Sequence, residues 1–359
     1  MLLPMNMSSS QEDPSPPHRP PLSPQSQVTE TGVIPDAKSS PRDADTSIDV
    51  YVGGPPVMPL PAAADALKTH AGTIERRVGL PVVLFLLTCF TTFSAGCYHW
   101  YPTWIGGPAT YGNTTMSMSQ VIAQNWSDGL LFMVCVMAVL MFHEMGHFLM
   151  TVKHRVHASY PHFIPFPMMI IGTMGAVIGM DRQKMDRKSL FDIGIAGPLA
   201  GLVLIVPFVI VGIMTATPGP REFGDPLLVK ILTLVLRPEL SGDQQLAVNP
   251  IYMAGWVGML VTGLNMIPIS QLDGGHVSHA VFGKYGKWVS RAVVFGVIAW
   301  MVWTDIFQWA GMLILVILLG IEHPPTTDDT IDIGWGRRIL GIASFAIPVL
   351  CFTPLPFDV

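Results

Sequence analysis

Five residues, His143-Glu144-Met145-Gly146-His147, stand inside an apolar run from about Gly129 to Val152. On a helix, positions i and i+4 share a face, so both imidazoles can reach one metal ion while the intervening carboxylate meets a water beside it. Ionisable side chains at membrane depth are costly, and a cluster of two His and one Glu there reads as a functional site. Phe142, Phe148, Leu149 and the upstream LFMVCVMAVLM leave no polar helix face that would account for them. The chemistry indicated is metal-assisted hydrolysis. A catalytic zinc takes three protein ligands and keeps a fourth position open for water, so a third donor is required.

Four acidic residues lie inside or beside the apolar runs: Asp192, Asp273, Asp305 and Glu322. Asp273 is the best placed, because NMIPISQLDGG puts it at the same end of its run as HEMGH. Asp305 falls at the opposite face. Asp192 opens a run, where an acidic residue serves ordinary helix-terminus chemistry, and Glu322, beside His323, reads as solvated. Gly274 and Gly275 allow a close backbone approach or a break in the helix.

The elements that must hold these residues are membrane helices. The 359-residue chain is 50% hydrophobic and 13% charged, a balance that excludes an ordinary soluble enzyme; nothing in it calls for a nucleic-acid partner. Seven windows approach the length of a span: about 78–96, 129–152, 191–214, 251–269, 289–303, 309–321 and 339–352. Basic residues concentrate in cytoplasmic loops of membrane proteins. With the amino terminus inside, Arg76, Arg77, Lys153, Arg155, Arg182, Lys184, Arg187, Lys188, Lys284, Lys287, Arg291, Arg337 and Arg338 all fall on that side, and HEMGH lies nearer to it. The outer connection includes PLLVKILTLVLRPEL, readable as an amphipathic helix on the membrane surface.

Residues 1–74, rich in Pro and Ser, read as a disordered cytoplasmic tail, and 75–359 as the membrane domain. Four Cys (Cys89, Cys97, Cys135, Cys351) lie in or beside apolar runs and read as small buried hydrophobes. Between the second and third runs, the Pro- and Gly-interrupted HASYPHFIPFPMMIIGTMGAVIGM cannot be one helix. Such backbone at membrane depth must be buried in protein or line a cavity. IIGTMGAVIGM has the composition of a short hairpin or edge strand. The expected fold is therefore an all-α polytopic membrane protein of about seven transmembrane helices, with a small β-hairpin near the site.

HExxH at His143–His147 followed by Leu272-Asp273-Gly274 resembles the site-2 protease family of intramembrane zinc metalloproteases. Asn265-Met266-Ile267-Pro268 resembles its NxxP element, and IGTMGAVI and Ile195–Gly201 (IAGPLAG) its Gly-rich segments. EHPPTTDDT followed by GRRILG is similar to the branch with bacterial and chloroplast members, and no PDZ-like insertion is evident. The resemblance implies one zinc per chain on His143, His147 and Asp273, with Glu144 as general base. Asn265 would donate a hydrogen bond near the reacting carbonyl or water, and Pro268 would kink its helix. Gly172, Thr173, Met174 and Gly175 would hold an extended substrate segment by strand addition. The implied activity is endoproteolysis of a membrane-anchored protein within the lipid bilayer. The implied location is a bacterial inner membrane, with the site toward the cytoplasm. The alternative is a metal-binding or transport protein that uses the same ligands without hydrolysis.

Overall fold

In the computed structural model the described residues are 78–100, 109–111, 114–168, 170–181, 185–219, 223–240, 245–269, 271–318, 320 and 326–354. The tail expected over 1–74, its boundary with the membrane domain, and Glu322 with His323 lie outside them. Among the described residues, three helices are long and apolar enough to cross a membrane: α1 (Gly79–Cys97), α2 (Met118–Lys153) and α3 (Arg187–Thr215). They coincide with the first three expected windows.

α1 is apolar on the outside and polar within. Leu80, Val83, Leu86 and Phe90 are exposed, while Thr88, Thr91, Thr92 and Ser94 are buried. The buried hydroxyls are satisfied within the helix, Thr88 donating to the Leu84 carbonyl at 2.8 Å and Thr92 to that of Thr88 at 2.7 Å. An outward apolar face and a small, self-satisfied inner face suit a helix between lipid and protein, where backbones approach closely in place of large side chains. A Cβ on Gly96 would stand 2.8 Å from the Gly129 Cα of α2.

α2 begins one residue after Ser117, which makes a capping box with Gln120. The helix kinks at Asn125, whose amide donates to the Cys97 carbonyl at 3.0 Å. It reaches back eleven residues further than the apolar run, because capping rather than hydropathy fixes its start. α3 packs against α2 despite Pro198 and Pro207 in its interior. Its cap is Asp186, which accepts from the Ser189 amide at 2.7 Å. Asp192 therefore lies within the helix rather than at its end.

The remaining windows differ from seven continuous spans. The fourth becomes α5 (Pro250–Asn265), after a short α4 (Leu227–Leu236) in the outer connection. α5 ends three residues before Pro268, so this proline sits in a break between helices rather than at a kink, as expected where the residue before Pro disfavours helix. α6 (Asp273–Phe282) resumes after the break, followed by α7 (Gly286–Thr304) and α8 (Ala310–Leu318). The last window splits into α9 (Trp335–Ser344) and α10 (Ala346–Cys351). In α4, Val229 and Thr233 are buried while Leu234 and Val235 are exposed.

The core joins α2, α3, α5 and α6. Phe132, Val136 and Leu140 pack with Ile205, Val209, Met253, Trp256 and Val277. Among the described residues there are three two-stranded antiparallel sheets: β1 (Ala109–Tyr111) with β2 (Thr114–Met116), β3 (His162–Pro165) with β4 (Thr173–Val177), and β5 (Pro218–Gly219) with β6 (Gln245–Leu246); Phe163 of β3 reaches into the core. The β3–β4 hairpin pairs His162 with Val177 and Phe163 with Ala176. Among the described residues β4 pairs with β3 alone, leaving its other edge without a strand partner.

Candidate metal centre

His143 and His147 project from the buried face of α2, one helical turn apart, and are 2% and 6% exposed. Asp273 opens α6 directly after the break that follows α5, where the helix dipole favours its negative charge. Gly274 makes this start possible, since a Cβ there would stand 2.1 Å from the Met266 carbonyl oxygen. A residue 130 positions from His143 thereby reaches the same point.

The three donor atoms form a nearly equilateral triangle. His143 Nε2 lies 3.2 Å from His147 Nε2 and 3.2 Å from Asp273 Oδ2, and His147 Nε2 lies 3.3 Å from the same oxygen. Tetrahedral bonds of about 2.0–2.1 Å place neighbouring donors about 3.3–3.4 Å apart, so the triangle has the size of one face of a zinc tetrahedron. Donor chemistry agrees with size. His147 Nδ1 sits 2.8 Å from the Ile193 carbonyl oxygen. A carbonyl only accepts, so Nδ1 carries the proton and Nε2 is left with its lone pair. Two acceptors, this Nε2 and Asp273 Oδ2, then face each other. A cation at the centre of the triangle satisfies them together with His143. Among the described residues these are the His, Cys, Asp and Glu side chains grouped closely enough to hold a metal, all three donors lying within 4.8 Å of one another.

Glycines on α3 admit the site. A Cβ on Gly197 would stand 2.0 Å from His147 Nε2, and one on Gly194 2.9 Å from His276 Cβ. From the other side, a Cβ on Gly146 would meet the Ala196 carbonyl oxygen at 2.4 Å. The imidazoles therefore occupy volume that side chains on α3 would otherwise fill.

The donors open on a cavity of about 250 Å³, whose wall includes Glu144, Asn265, Gln271, His276, Val177 and Met180. Glu144 is 5% exposed and reaches this space from the same helix as the two His. Asn265, at the end of α5, is brought to the wall as well. The hairpin contributes Ala176, Val177 and Ile178, the residues just after Gly172–Gly175. Gly172 (φ +76°) packs instead against α1, its missing Cβ pointing at the Thr91 carbonyl oxygen 2.4 Å away. The Thr173 hydroxyl is buried and bonds to the Ile164 carbonyl at 3.0 Å.

Asp192 and Asp305, the other acidic candidates among the described residues, are not part of the donor triangle. Asp192 accepts from Arg337 Nε at 2.7 Å and Nη2 at 2.9 Å, with His154 Nε2 at 3.0 Å, so it ties α2, α3 and α9 together. Asp305 ends α7 in a left-handed conformation. Sequence reasoning passed over three contributors: His276, 2% exposed in the cavity wall, the Ile193 carbonyl, and the role of Gly194 and Gly197. Gly194, Gly197 and Gly201 at i, i+3 and i+7 share one helix face, and that spacing was the signal available for a close helix contact.

Residues 131–303 match the model of Peptidase family M50. The chain is 32% identical over 232 residues to the probable zinc metalloprotease EGY1, chloroplastic, of Oryza sativa subsp. japonica, an alignment covering 61% of this chain and 40% of that protein. It is 31% identical over 239 residues to the protein of the same name in Arabidopsis thaliana, covering 61% and 42%. It is 28% identical over 249 residues to the probable zinc metalloprotease EGY2, chloroplastic, of Oryza sativa subsp. indica, covering 64% and 44%. The chain thus spans about two fifths of the length of the curated relatives it matches. No solved structure matches it. The names of these relatives give the expected bacterial inner membrane no support. The matched stretch holds both His, Glu144, Asp273 and the helices that pack around them, and residues 131–303 are a Peptidase family M50 domain in a membrane protein.

Proposed function

We propose that this chain is a zinc-dependent endopeptidase that cuts peptide bonds in or beside the membrane-spanning segment of another protein. The observation that carries the proposal is the donor triangle of His143, His147 and Asp273, with edges of 3.2–3.3 Å, beside the Glu144 carboxylate in one cavity wall. One zinc ion held there supplies Lewis-acid polarisation of the scissile carbonyl and acidifies water toward neutral pH. Glu144 takes the proton of the attacking water and passes it to the leaving amine. Its burial keeps bulk water from competing for that proton. Asn265 is placed in the wall to donate a hydrogen bond to the reacting carbonyl.

A helical substrate hides its amides and must unwind before attack. The unpartnered edge of β4 supports a reading in which the substrate adds as an extended strand, with 172–175 fixing the hairpin and 176–178 lying beside the reacting bond. The surrounding bilayer is the second partner. The exposed apolar side chains of α7, Phe295 and Val302, support placing that helix in lipid too, with α5 and α8–α10 completing the membrane region. Lys153, Arg155, Lys284, Lys287 and Arg338 stand in the sequence beside the ends of apolar runs on the HEMGH side, which supports a site that opens toward the side of the basic loops.

The test is Glu144→Gln in the full chain, purified in detergent and assayed on a single-span model peptide with zinc content measured in parallel. Retained zinc with cleavage reduced by about 10²–10⁴-fold is the expected result. Full cleavage would refute the role of Glu144, and zinc flux in proteoliposomes without cleavage by the wild type would favour transport.

A further inference from the structure

The fold treats the two imidazoles differently. His147 Nδ1 has the Ile193 carbonyl at 2.8 Å, whereas His143 Nδ1 is buried with no hydrogen-bond partner. A second buried atom in the same state is Thr262 Oγ1 on α5, in a residue 1% exposed. Elsewhere in the chain, buried helical hydroxyls such as Thr88, Thr92 and Ser94 donate to carbonyls of the preceding turn; Thr262 makes no such bond. The two unpaired atoms share one space on α3. A Cβ on Gly201 would lie 3.3 Å from His143 Nδ1 and 3.6 Å from Thr262 Oγ1. Because residue 201 has no side chain, the space beside both the ring nitrogen and the hydroxyl is left free of a Cβ there.

Buried polar atoms are almost always paired, and leaving either of these unpaired is costly. An imidazole that binds metal through one nitrogen ordinarily donates the other N–H to an oxygen, which fixes both tautomer and ring orientation. We infer that Thr262 is the positioning residue for His143. Its Oγ1 accepts from Nδ1–H, directly after rotation about its Cα–Cβ bond or across one buried water, and leaves the Nε2 lone pair aimed into the donor triangle. Thr262 thereby does for His143 what the Ile193 carbonyl does for His147. The difference is that a hydroxyl is a side-chain group and can be removed by substitution. This inference rests on the zinc reading of the site.

The experiment compares zinc affinity, by competition with a chromophoric chelator, of the full chain and its Thr262→Val and Thr262→Ser variants in detergent. Valine keeps the shape and loses the hydroxyl; serine keeps the hydroxyl. Thr262→Val is expected to bind zinc about 10–100-fold more weakly, and Thr262→Ser close to wild type, with circular dichroism of the zinc-free proteins unchanged. Should the valine variant fail to fold, Thr262→Ala against Thr262→Ser repeats the comparison, since that pair differs by the hydroxyl alone. Wild-type affinity in the hydroxyl-free variant, or equal weakening in the serine one, would overturn the inference while leaving the zinc site intact. A wild-type protein that binds no zinc would overturn both.

Discussion

The floor of the cavity and its rim are built in opposite ways. On the floor, α2, α3 and the start of α6 approach so closely that a single methyl at Gly146, Gly197 or Gly274 would stand 2.0–2.4 Å from a neighbouring atom. On the rim, β4 is one strand of a two-stranded hairpin, with Met174 and Val177 exposed; a Cβ on Gly175 would meet its nearest atom, of Val261, only at 4.0 Å. Metal ligands need positions fixed to a fraction of an ångström, which close packing supplies. A strand that receives an unwound segment needs a free edge and space beside it.

If that division holds, substitutions on the floor should cost metal and those on the rim should cost only turnover. The largest effect is expected for Gly197→Ala, whose methyl competes with His147 Nε2 for the same space. Zinc content by elemental analysis should fall close to that of a His147→Ala variant, and cleavage with it. Glu144→Gln comes next: because it sits on the floor but holds no metal, zinc content should stay while kcat falls by about 10²–10⁴-fold. On the rim, Gly175 has φ +97°, so Gly175→Ala should cost about 1–2 kcal/mol of local strain. KM for a membrane peptide should rise with zinc content unchanged; loss of zinc in this variant would blur the distinction. The smallest effect is expected for Arg337→Met, which strips Asp192 of a two-point partner where the end of α2 meets the start of α3. The Arg337 side chain is 38% exposed, so solvent screening holds the cost to about 0.5–1 kcal/mol, read as a lower Tm with zinc affinity unchanged.

HEMGH and Asp273 were legible in the sequence because they are polar residues where an apolar run disfavours them, and chemistry misplaced in that way stands out without knowledge of the fold. The first three membrane helices were legible for the matching reason, since long apolar runs fold as they read, and Pro198 and Pro207 do not interrupt α3. Helix continuity was harder to see. Hydropathy reports apolar surroundings, not hydrogen-bond continuity, so 251–269 read as one run although α5 stops at Asn265 and Pro268 falls in the gap. Asp192 looked like a helix-terminus residue because the true cap, Asp186, lies among polar residues outside the apolar run. Its actual partner, Arg337, is 145 residues away, a distance over which local pattern carries no information. The glycines of α3 were visible as residues, but their purpose depends on which helix faces them. That is settled by packing.

The central claim is that His143, His147 and Asp273 hold one zinc ion. X-ray absorption at the zinc edge on the full chain, purified without added metal, addresses it directly. The account predicts about one zinc per chain, with a nitrogen and oxygen shell at about 2.0–2.1 Å, imidazole scattering from two rings and no sulfur. A sulfur shell at about 2.3 Å, or zinc uptake undiminished in a His143→Ala, His147→Ala double variant, would contradict it.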